Sequence, residues 1–211
     1  MKAMTRVSDL LRSLGVPANR VVLDPAPGTA TVRDLVRFND TKPNGRLYEL
    51  VDGTLVEKET GLRESFIAGA LVEWLRVFSR ENGNLGMVLG ADGNLRLFKK
   101  TCRTPDVSFT SWDRLPGRKV PDDPVPHLAP DLAVEVLSRG NRPGEMKRKL
   151  KDYFRADVRL VWYVDPKSRT VTVFTSPTES VELGPDETLD GGDVLPGFEV
   201  KVADFFAELQ G

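Results

Sequence analysis

The sequence is poor in the side chains from which disulfides and zinc sites are built. It contains one cysteine, Cys102, and one histidine, His127, in 211 residues. A single cysteine excludes an internal disulfide and a cysteine-based zinc site, and it agrees with a reducing, cytoplasmic setting. Cys102 has no neighbouring histidine, and His127 lies in a proline-rich stretch without nearby partners. We therefore expect neither residue to take part in catalysis.

Long apolar runs and targeting signals are missing as well. No segment approaches the roughly 20 apolar residues that span a bilayer, and the first residues contain no apolar core with a small-residue cleavage site. Gly-rich phosphate loops and the Gly-x-Ser-x-Gly and His-Glu-x-x-His motifs are also absent. With 40% hydrophobic and 29% charged residues, the composition is that of a globular protein. We expect a single domain over residues 1–211 with no membrane contact.

The charge of the chain is nearly balanced, with a formal net charge of -1. This excludes a polycation that binds nucleic acid indiscriminately. Basic residues are nevertheless concentrated between Arg139 and Arg159. Such a run is either a solvated helix face or a local surface for a nucleic-acid backbone. In the second interpretation the candidate contacts are Arg139, Arg142, Lys147, Arg148 and Lys151.

Hydrophobic periodicity predicts the helices. Ser8–Leu14 and Thr31–Phe38 are predicted as short helices, the second with a capping signal from Thr31 to Asp34. Between Leu62 and Phe78 apolar residues recur at steps of three and four, which predicts one long amphipathic helix. The last predicted helices are Gly144–Ala156 and a closing helix near Val202–Leu209.

The predicted strands alternate with these helices. Asp52-Gly53 is a strong hairpin signal between Leu47–Val51 and Leu55–Lys58. The remaining predicted strands are Leu85–Leu89, Asn94–Phe98, Asp106–Thr110, Asp131–Leu137, Leu160–Val164 and Thr170–Phe174, followed by short, weaker ones. Residues 116–130 contain five prolines and predict a loop. This order predicts an α/β fold, a central mixed sheet flanked by helices.

Two of the predicted strands carry an acidic residue. Alternation places Asp106 on the polar face of its strand, opposite Val107 and Phe109. Asp106 is either a solvent-facing residue at the start of a strand or a functional carboxylate. Glu135 interrupts an otherwise apolar strand, and a continuous apolar run implies a strand covered on both faces. An unpaired buried carboxylate there is costly, so we expect Glu135 to meet a cation, a proton or a metal.

The helix after that strand supplies a cation. Glu145, Lys149 and Tyr153 follow one another at four-residue steps and share one helix face. Lys149 can therefore project beside the end of the strand that carries Glu135. The alternative is an exposed Glu145–Lys149 pair worth only about a few tenths of a kcal/mol.

Together these stretches resemble the PD-(D/E)XK nuclease fold and, more closely, the Uma2 family of endonucleases. The resemblance runs from about Thr31 to the C-terminus. It rests on short motifs at 48–53, 104–109, 130–138, 149–153, 161–166 and 195–198. It implies a restriction endonuclease-like core over residues 31–211, preceded by an N-terminal extension, residues 1–30.

The resemblance also implies roles for particular residues. Asp106 matches the motif aspartate and Glu135 the second metal carboxylate. The lysine that normally stands two residues after this acid is absent, because position 137 is leucine, and Lys149 matches a family lysine on the following helix. Glu49 matches a further family acid, and Glu64 lies near a common family histidine. The implied catalytic residues are Asp106, Glu135 and Lys149, and the implied metal ligands are Asp106, Glu135, Glu49 and Glu64.

The chemistry implied by this set is metal-assisted phosphodiester hydrolysis. Hard carboxylate oxygens favour Mg²⁺ or Mn²⁺, and a metal-activated water would attack the phosphate while Lys149 offsets the developing charge. We therefore expect a DNA endonuclease, and by analogy with the fold a homodimer. The alternatives are an inactive nuclease-fold interaction module and a hydrolase of another phosphoester, such as RNA or a nucleotide.

Overall fold

The structure, a computed structural model, describes residues 6–207 and residue 209. Its helices are α1 (Val7–Leu14), α2 (Val32–Thr41), α3 (Leu62–Glu81), α4 (Pro143–Arg155) and α5 (Val202–Ala207). Its strands are β1 (Tyr48–Val51), β2 (Thr54–Glu57), β3 (Gly86–Leu89), β4 (Leu95–Phe98), β5 (Thr101–Arg103), β6 (Val107–Ser111), β7 (Leu132–Val136), β8 (Leu160–Asp165), β9 (Thr170–Phe174), β10 (Ser180–Leu183), β11 (Thr188–Gly191) and β12 (Leu195–Lys201). Within these residues no helix is both long and apolar enough to cross a membrane.

A six-stranded mixed sheet forms the centre of the fold, in the order β10-β9-β8-β7-β6-β3. Strands β7 and β8 are parallel, and α4 connects them. The neighbouring pairs on either side are antiparallel. Parallel neighbours need a crossover connection, so the chain between β7 and β8 had to form a helix that packs on the sheet. The mixed sheet flanked by helices that the sequence predicts is confirmed.

Each face of this sheet has its own apolar core. On one face Val107, Phe109 and Val134 pack with α3 and α5. On the other face Ala133 and Val161 pack with α4 and with apolar residues of β4. Because side chains alternate along a strand, residues in step with Ala133 face α4. The predicted alternation therefore places both Asp106 and Glu135 on the α4 side of the sheet.

A second sheet, in the order β2-β1-β5-β4, lies next to the first. The predicted Asp52-Gly53 hairpin is confirmed, with both residues at positive φ (49° and 77°). Strand β5 was not predicted, because three residues, Thr-Cys-Arg, show no clear periodicity. The predicted closing helix ends at Ala207, and Glu208 lies outside the described residues.

A buried ion network joins the second sheet to α4. Arg103 on β5 donates to Glu49 on β1 (2.8 Å) and to Asp152 on α4 (2.6 Å). All three side chains are at most 3% exposed. Buried charges are tolerated when they are paired and hydrogen-bonded, so this network fixes how the second sheet lies against α4.

The N-terminal segment also packs on α4. Arg20, which is buried, forms a two-pronged ion pair with Glu145 (2.8 Å for each bond) and donates to the carbonyl of Glu57. The exposed Glu145–Lys149 pair considered from the sequence is therefore not formed, because Glu145 is buried and paired with Arg20. Gly15, at the end of α1, has φ +74°, and its Cα lies against the backbone of Gly144.

Replacing Gly15 with alanine is expected to destabilise the protein. A Cβ there would lie 2.4 Å from the backbone nitrogen of Glu145. Overpacking costs about 1–3 kcal/mol, in addition to about 1–2 kcal/mol for a non-glycine residue at positive φ. Urea denaturation measures the loss. Gly28→Ala is the matched control, because Gly28 has φ +86° but its Cβ would meet nothing within 4 Å. Equal losses in the two variants would contradict the packing of α1 on α4.

The Glu49 network predicts a loss of stability in acid. Burial alone raises the pKa of Glu49, but Lys149, Arg103 and the Thr104 amide outweigh it and hold the pKa at about 2, below the ordinary 4.5. The ionised group therefore stabilises the fold above pH 4.5, and this contribution disappears as the pH falls from 4.5 towards about 2. A shift of this size corresponds to about 3 kcal/mol.

The measurement is the free energy of unfolding of wild type and Glu49→Gln between pH 3 and 7. The difference in free energy of unfolding between the two proteins should become smaller towards pH 3. Glu57→Gln, which removes a partly exposed carboxylate from the adjacent strand, is the control and should keep a small, constant gap. A difference between the wild type and Glu49→Gln that does not change with pH would refute the lowered pKa of Glu49.

Candidate active site

Glu135 lies at the centre of a buried polar cluster between β7 and α4. It is 3% exposed. Lys149 Nζ donates to one carboxylate oxygen at 2.8 Å, and the Tyr153 hydroxyl donates to the other. The helix spacing that put Lys149 and Tyr153 on one face thus brings both onto the same carboxylate. Of the partners expected for Glu135, a cation, a proton or a metal, the structure shows a cation, Lys149.

Lys149 lies between two carboxylates. Its Nζ is 2.8 Å from Glu135 and 3.6 Å from Glu49. Burial lowers the pKa of Lys149, but Glu135, Glu49 and Asp106 outweigh burial and raise the pKa above its ordinary value. The ammonium group therefore stays protonated at physiological pH. Lys149 can therefore supply a positive charge beside Glu135 and Glu49.

Asp106 lies just before β6 and bonds to the two residues on either side of Glu135 on the neighbouring strand β7. Its amide donates to the carbonyl of Val134 (3.0 Å), and its carboxylate accepts from the amide of Val136 (2.8 Å). The side chain is 15% exposed, so Asp106 is the more accessible of the two predicted catalytic carboxylates. Burial, then Asp106 and Glu49, raise the pKa of Glu135 against the opposing charge of Lys149. The carboxylates are thus close enough to repel each other.

Lys58 completes the cluster and was not singled out from the sequence. It follows β2, is 3% exposed, and its Nζ lies 3.0 Å from Asp106 and 3.1 Å from the carbonyl of Ala91. The sequence signal for Lys58 was its position just after the apolar residues Leu55 and Val56 of a predicted strand. Nothing local indicates that this lysine turns inward, because its partner is remote in sequence.

The structure does not bring the four expected metal ligands together. Glu49 accepts from the Arg103 guanidinium and the Thr104 amide and lies 3.6 Å from Lys149 Nζ, so Glu49 positions Lys149 and Arg103. Glu64, on the first turn of α3, shows no interaction with Asp106 or Glu135. Among the described residues no group of three or more His, Cys, Asp or Glu side chains is placed to hold a metal ion. The four-carboxylate site is therefore not formed.

A cleft of about 1230 Å³ opens next to the cluster, beyond the C-terminal end of β7. Its walls are residues 59–64, residues 137–143, Met146, Tyr163 and residues 165–167. Tyr163 is the partner of Glu135 on the parallel strand β8, and burial followed by Glu135 raises the pKa of its hydroxyl. Asp106, Glu135 and Lys149 do not line the cleft. The cleft borders the cluster through Tyr163.

The predicted nucleic-acid contacts divide into two groups. Arg139 and Arg142 are exposed and line the cleft, and Lys147 and Lys151 are exposed on the outer face of α4. The contacts of Arg148 argue against its predicted role as a nucleic-acid contact. Its guanidinium group bonds to Asp152 (3.0 Å), to Asp52 (2.8 Å) and to the carbonyl of Ser13 (3.1 Å), so its charge is used within the fold.

The two residues expected to be inert have surroundings that agree with this. Cys102 is buried, and burial raises the pKa of its thiol to about 12. His127 is exposed in the irregular proline-rich segment.

Comparison with known proteins bears on the family and the fold. The Uma2 family model, described as "Putative restriction endonuclease", matches residues 33–203. A solved structure from Anabaena variabilis, described as "a putative nuclease belonging to DUF820", is 18% identical with a TM-score of 0.70, and the match covers 85% of this chain and 98% of that chain. No curated protein gives a significant match. The likeness to the solved structure confirms the restriction endonuclease-like fold. Because the family model spans most of the chain, this protein belongs to the Uma2 family.

Proposed function

We propose that this protein is an endonuclease that hydrolyses DNA phosphodiester bonds with Mg²⁺ or Mn²⁺ held by Asp106 and Glu135. The observation that carries the proposal is the convergence of Asp106 and Glu135 on one face of the sheet, flanked by Lys58 and Lys149. Two repelling carboxylates beside fixed cations are suited to a divalent metal and an anionic substrate. The description of the Uma2 family supports the same reaction class.

The donor set, which consists of carboxylate oxygens, fits Mg²⁺ or Mn²⁺ rather than zinc. Each carboxylate oxygen has a lone pair beyond the one used by its present donor. Mg²⁺ commonly binds through one or two carboxylates and completes its octahedron with water and substrate phosphate oxygens, so two carboxylates are sufficient. When bound, the ion would activate a water for in-line attack and stabilise the developing charge.

The remaining side chains have separate tasks in this proposal. Lys149 places a permanent positive charge where negative charge develops on the phosphate, which lowers the barrier without a proton transfer. Tyr153 and Lys58 hold the two carboxylates in place through their hydrogen bonds. Asp106, as the more exposed carboxylate, is the point at which water and substrate reach the cluster.

A second candidate is a nuclease-fold module that binds a partner without cutting. The burial of Glu135 and Lys149, each 3% exposed and already paired, favours it. Under this candidate the ion pair only stabilises the attachment of α4. Cleavage assays distinguish the two candidates, and RNA and mononucleotide substrates separate DNA cleavage from other phosphoester hydrolysis. We also propose a homodimer, since cutting a duplex needs two sites, and light scattering measures its mass.

Removal of either carboxylate is expected to abolish cleavage. Asp106→Asn and Glu135→Gln keep the size of the side chain but remove the charge that holds the metal. We expect plasmid cleavage with Mg²⁺ to fall by more than about 100-fold in each variant.

Asp113→Asn is the control for these variants, because it removes one negative charge from an 85% exposed position. It should cleave like the wild type. Full activity of Glu135→Gln would refute the mechanism. A wild-type protein that binds Mn²⁺ but cuts no DNA, RNA or nucleotide would favour the non-cutting module.

The charge of Lys149 can be tested separately from metal binding. Lys149→Gln should bind Mn²⁺ at least as tightly as the wild type, measured by calorimetry, because both carboxylates remain and one competing cation is removed. Its cleavage rate should fall by about 100- to 1000-fold, as for the loss of other transition-state electrostatic contacts. Tyr153→Phe, which removes an uncharged donor from the same carboxylate, should lose much less activity. Equal losses in the two variants would show that the charge of Lys149 is not what matters.

A further inference from the structure

The cleft next to the cluster has a cationic rim that the fold does not use. Arg63, Arg139, Arg142 and Lys167 all line it. None of their side chains forms an ion pair or hydrogen bond with the part of the chain that the structure describes. Such uncompensated cations attract phosphate groups, which dominate affinity for nucleic acids.

The acidic residues of the cleft offset this rim only in part. Glu59 pairs with the buried Arg20 at 3.7 Å. Glu64 and Asp165 are the other two acids in the lining, against four cations. The cleft therefore keeps an excess of cationic side chains available to an anionic ligand.

Two large apolar side chains of α3 are exposed, one in the wall of the same cleft and the other one turn away. Leu62, which lines the cleft, is 91% exposed, and Phe66, one turn further along α3, is 51% exposed. Residues four apart on a helix are neighbours, so Leu62 and Phe66 form one exposed apolar surface beside Arg63. Leu137, Met146 and Tyr163 continue the apolar surface into the cleft. A ligand that fits must combine anionic groups with flat apolar groups.

An intact DNA duplex meets only half of this requirement. Its phosphates are outside, but its base faces are stacked inside, where Leu62 and Phe66 cannot reach them. Unpaired nucleotides present both parts, because every base has a face on which an aromatic side chain can stack. The volume of about 1230 Å³ is slightly above that of ordinary small-ligand pockets, which suits a few nucleotides of one strand.

We propose that this cleft binds unpaired DNA nucleotides, with phosphates on the arginine and lysine rim and bases against Phe66 and Leu62. The substrate class is then DNA with a single-stranded or frayed segment next to the cutting site. This substrate assignment rests on the proposed function. The binding itself is measured without metal and is independent of cleavage.

A second copy of the chain is a poorer occupant of this surface. In a two-fold interface the same patch meets itself, so the cationic rims would face each other and repel. A nucleic-acid strand neutralises the rim instead. Self-association through Phe66 is therefore an outcome that the experiment must detect.

The experiment is fluorescence anisotropy in EDTA with three labelled probes: a 12-nucleotide oligothymidylate, the corresponding oligouridylate, and a blunt two-stranded DNA duplex. The wild type should bind oligothymidylate at least about tenfold more tightly than the duplex. Phe66→Ala should weaken single-strand binding by about tenfold, Leu62→Ala should weaken it by a smaller factor, and both should leave duplex binding unchanged. Arg139→Gln combined with Arg142→Gln should weaken binding of all probes and reduce its salt dependence.

Two control variants match these changes elsewhere on the surface. Val181→Ala removes an apolar side chain that is 62% exposed on β10, and Arg80→Gln removes an exposed cation at the other end of α3. Both should bind like the wild type. Equal affinity for the single strand and the duplex, unchanged binding by Phe66→Ala, or a fall in molecular mass on that substitution would each overturn the proposal. Tighter binding of oligouridylate would reassign the cleft to RNA and overturn the DNA assignment.

These outcomes are distinct from failure of the proposed function. A protein that binds oligothymidylate selectively but cuts no DNA with Mg²⁺ keeps the binding site and loses the nuclease activity. A protein that cuts duplex DNA and shows no preference for single strands keeps the activity and loses the present inference.

Discussion

The burial of one carboxylate, Glu135, constrains much of the rest of the structure. A charged group inside an apolar strand is tolerated only with a partner, and Lys149 supplies it from the helix that connects β7 to β8. The pair therefore requires α4 to pack with one particular face on the sheet. Its value lies in this positioning more than in stability, because a buried ion pair often returns no more energy than an apolar pair, while removal of one partner costs about 3–5 kcal/mol.

The same requirement extends outward through a chain of alternating charges. Lys149 also faces Glu49, Glu49 accepts from Arg103, and Arg103 donates to Asp152, which lies one turn from Lys149 on α4. The chain begins and ends on α4 and passes through the second sheet. The orientation of Lys149 consequently depends on strands that carry no predicted catalytic residue. This explains how a family acid such as Glu49 can matter to the site without binding a metal.

Local periodicity predicted part of the site. Alternation placed Asp106 opposite Val107 and Phe109 on its strand, and four-residue spacing placed Lys149 and Tyr153 on one face of the helix. The meeting of Asp106 and Glu135 on one face of the sheet was implied by the family resemblance and depends on the register of β6 and β7. Lys58, Arg103 and Arg20 were missed because their partners lie far away in sequence, 125 residues for Arg20 and Glu145, and no local pattern encodes such a pairing. The family resemblance assigned Glu49 to the metal, because a motif match identifies the position of a carboxylate but not the arginine that pairs with it.

The charge balance of the cluster bears on how a metal and a substrate would bind. Four carboxylates, on Glu49, Asp106, Glu135 and Asp152, face four cations, on Lys58, Lys149, Arg103 and Arg148. Under the proposed function a divalent ion alone would leave this balanced cluster with an excess of positive charge in a medium of low dielectric, which is unfavourable. An anionic phosphate entering with it removes that excess. Metal and substrate should then each increase the affinity for the other by the same factor, and Asp106 and Glu135, although each is already hydrogen-bonded, would bind Mg²⁺ well once the nucleic acid is in place.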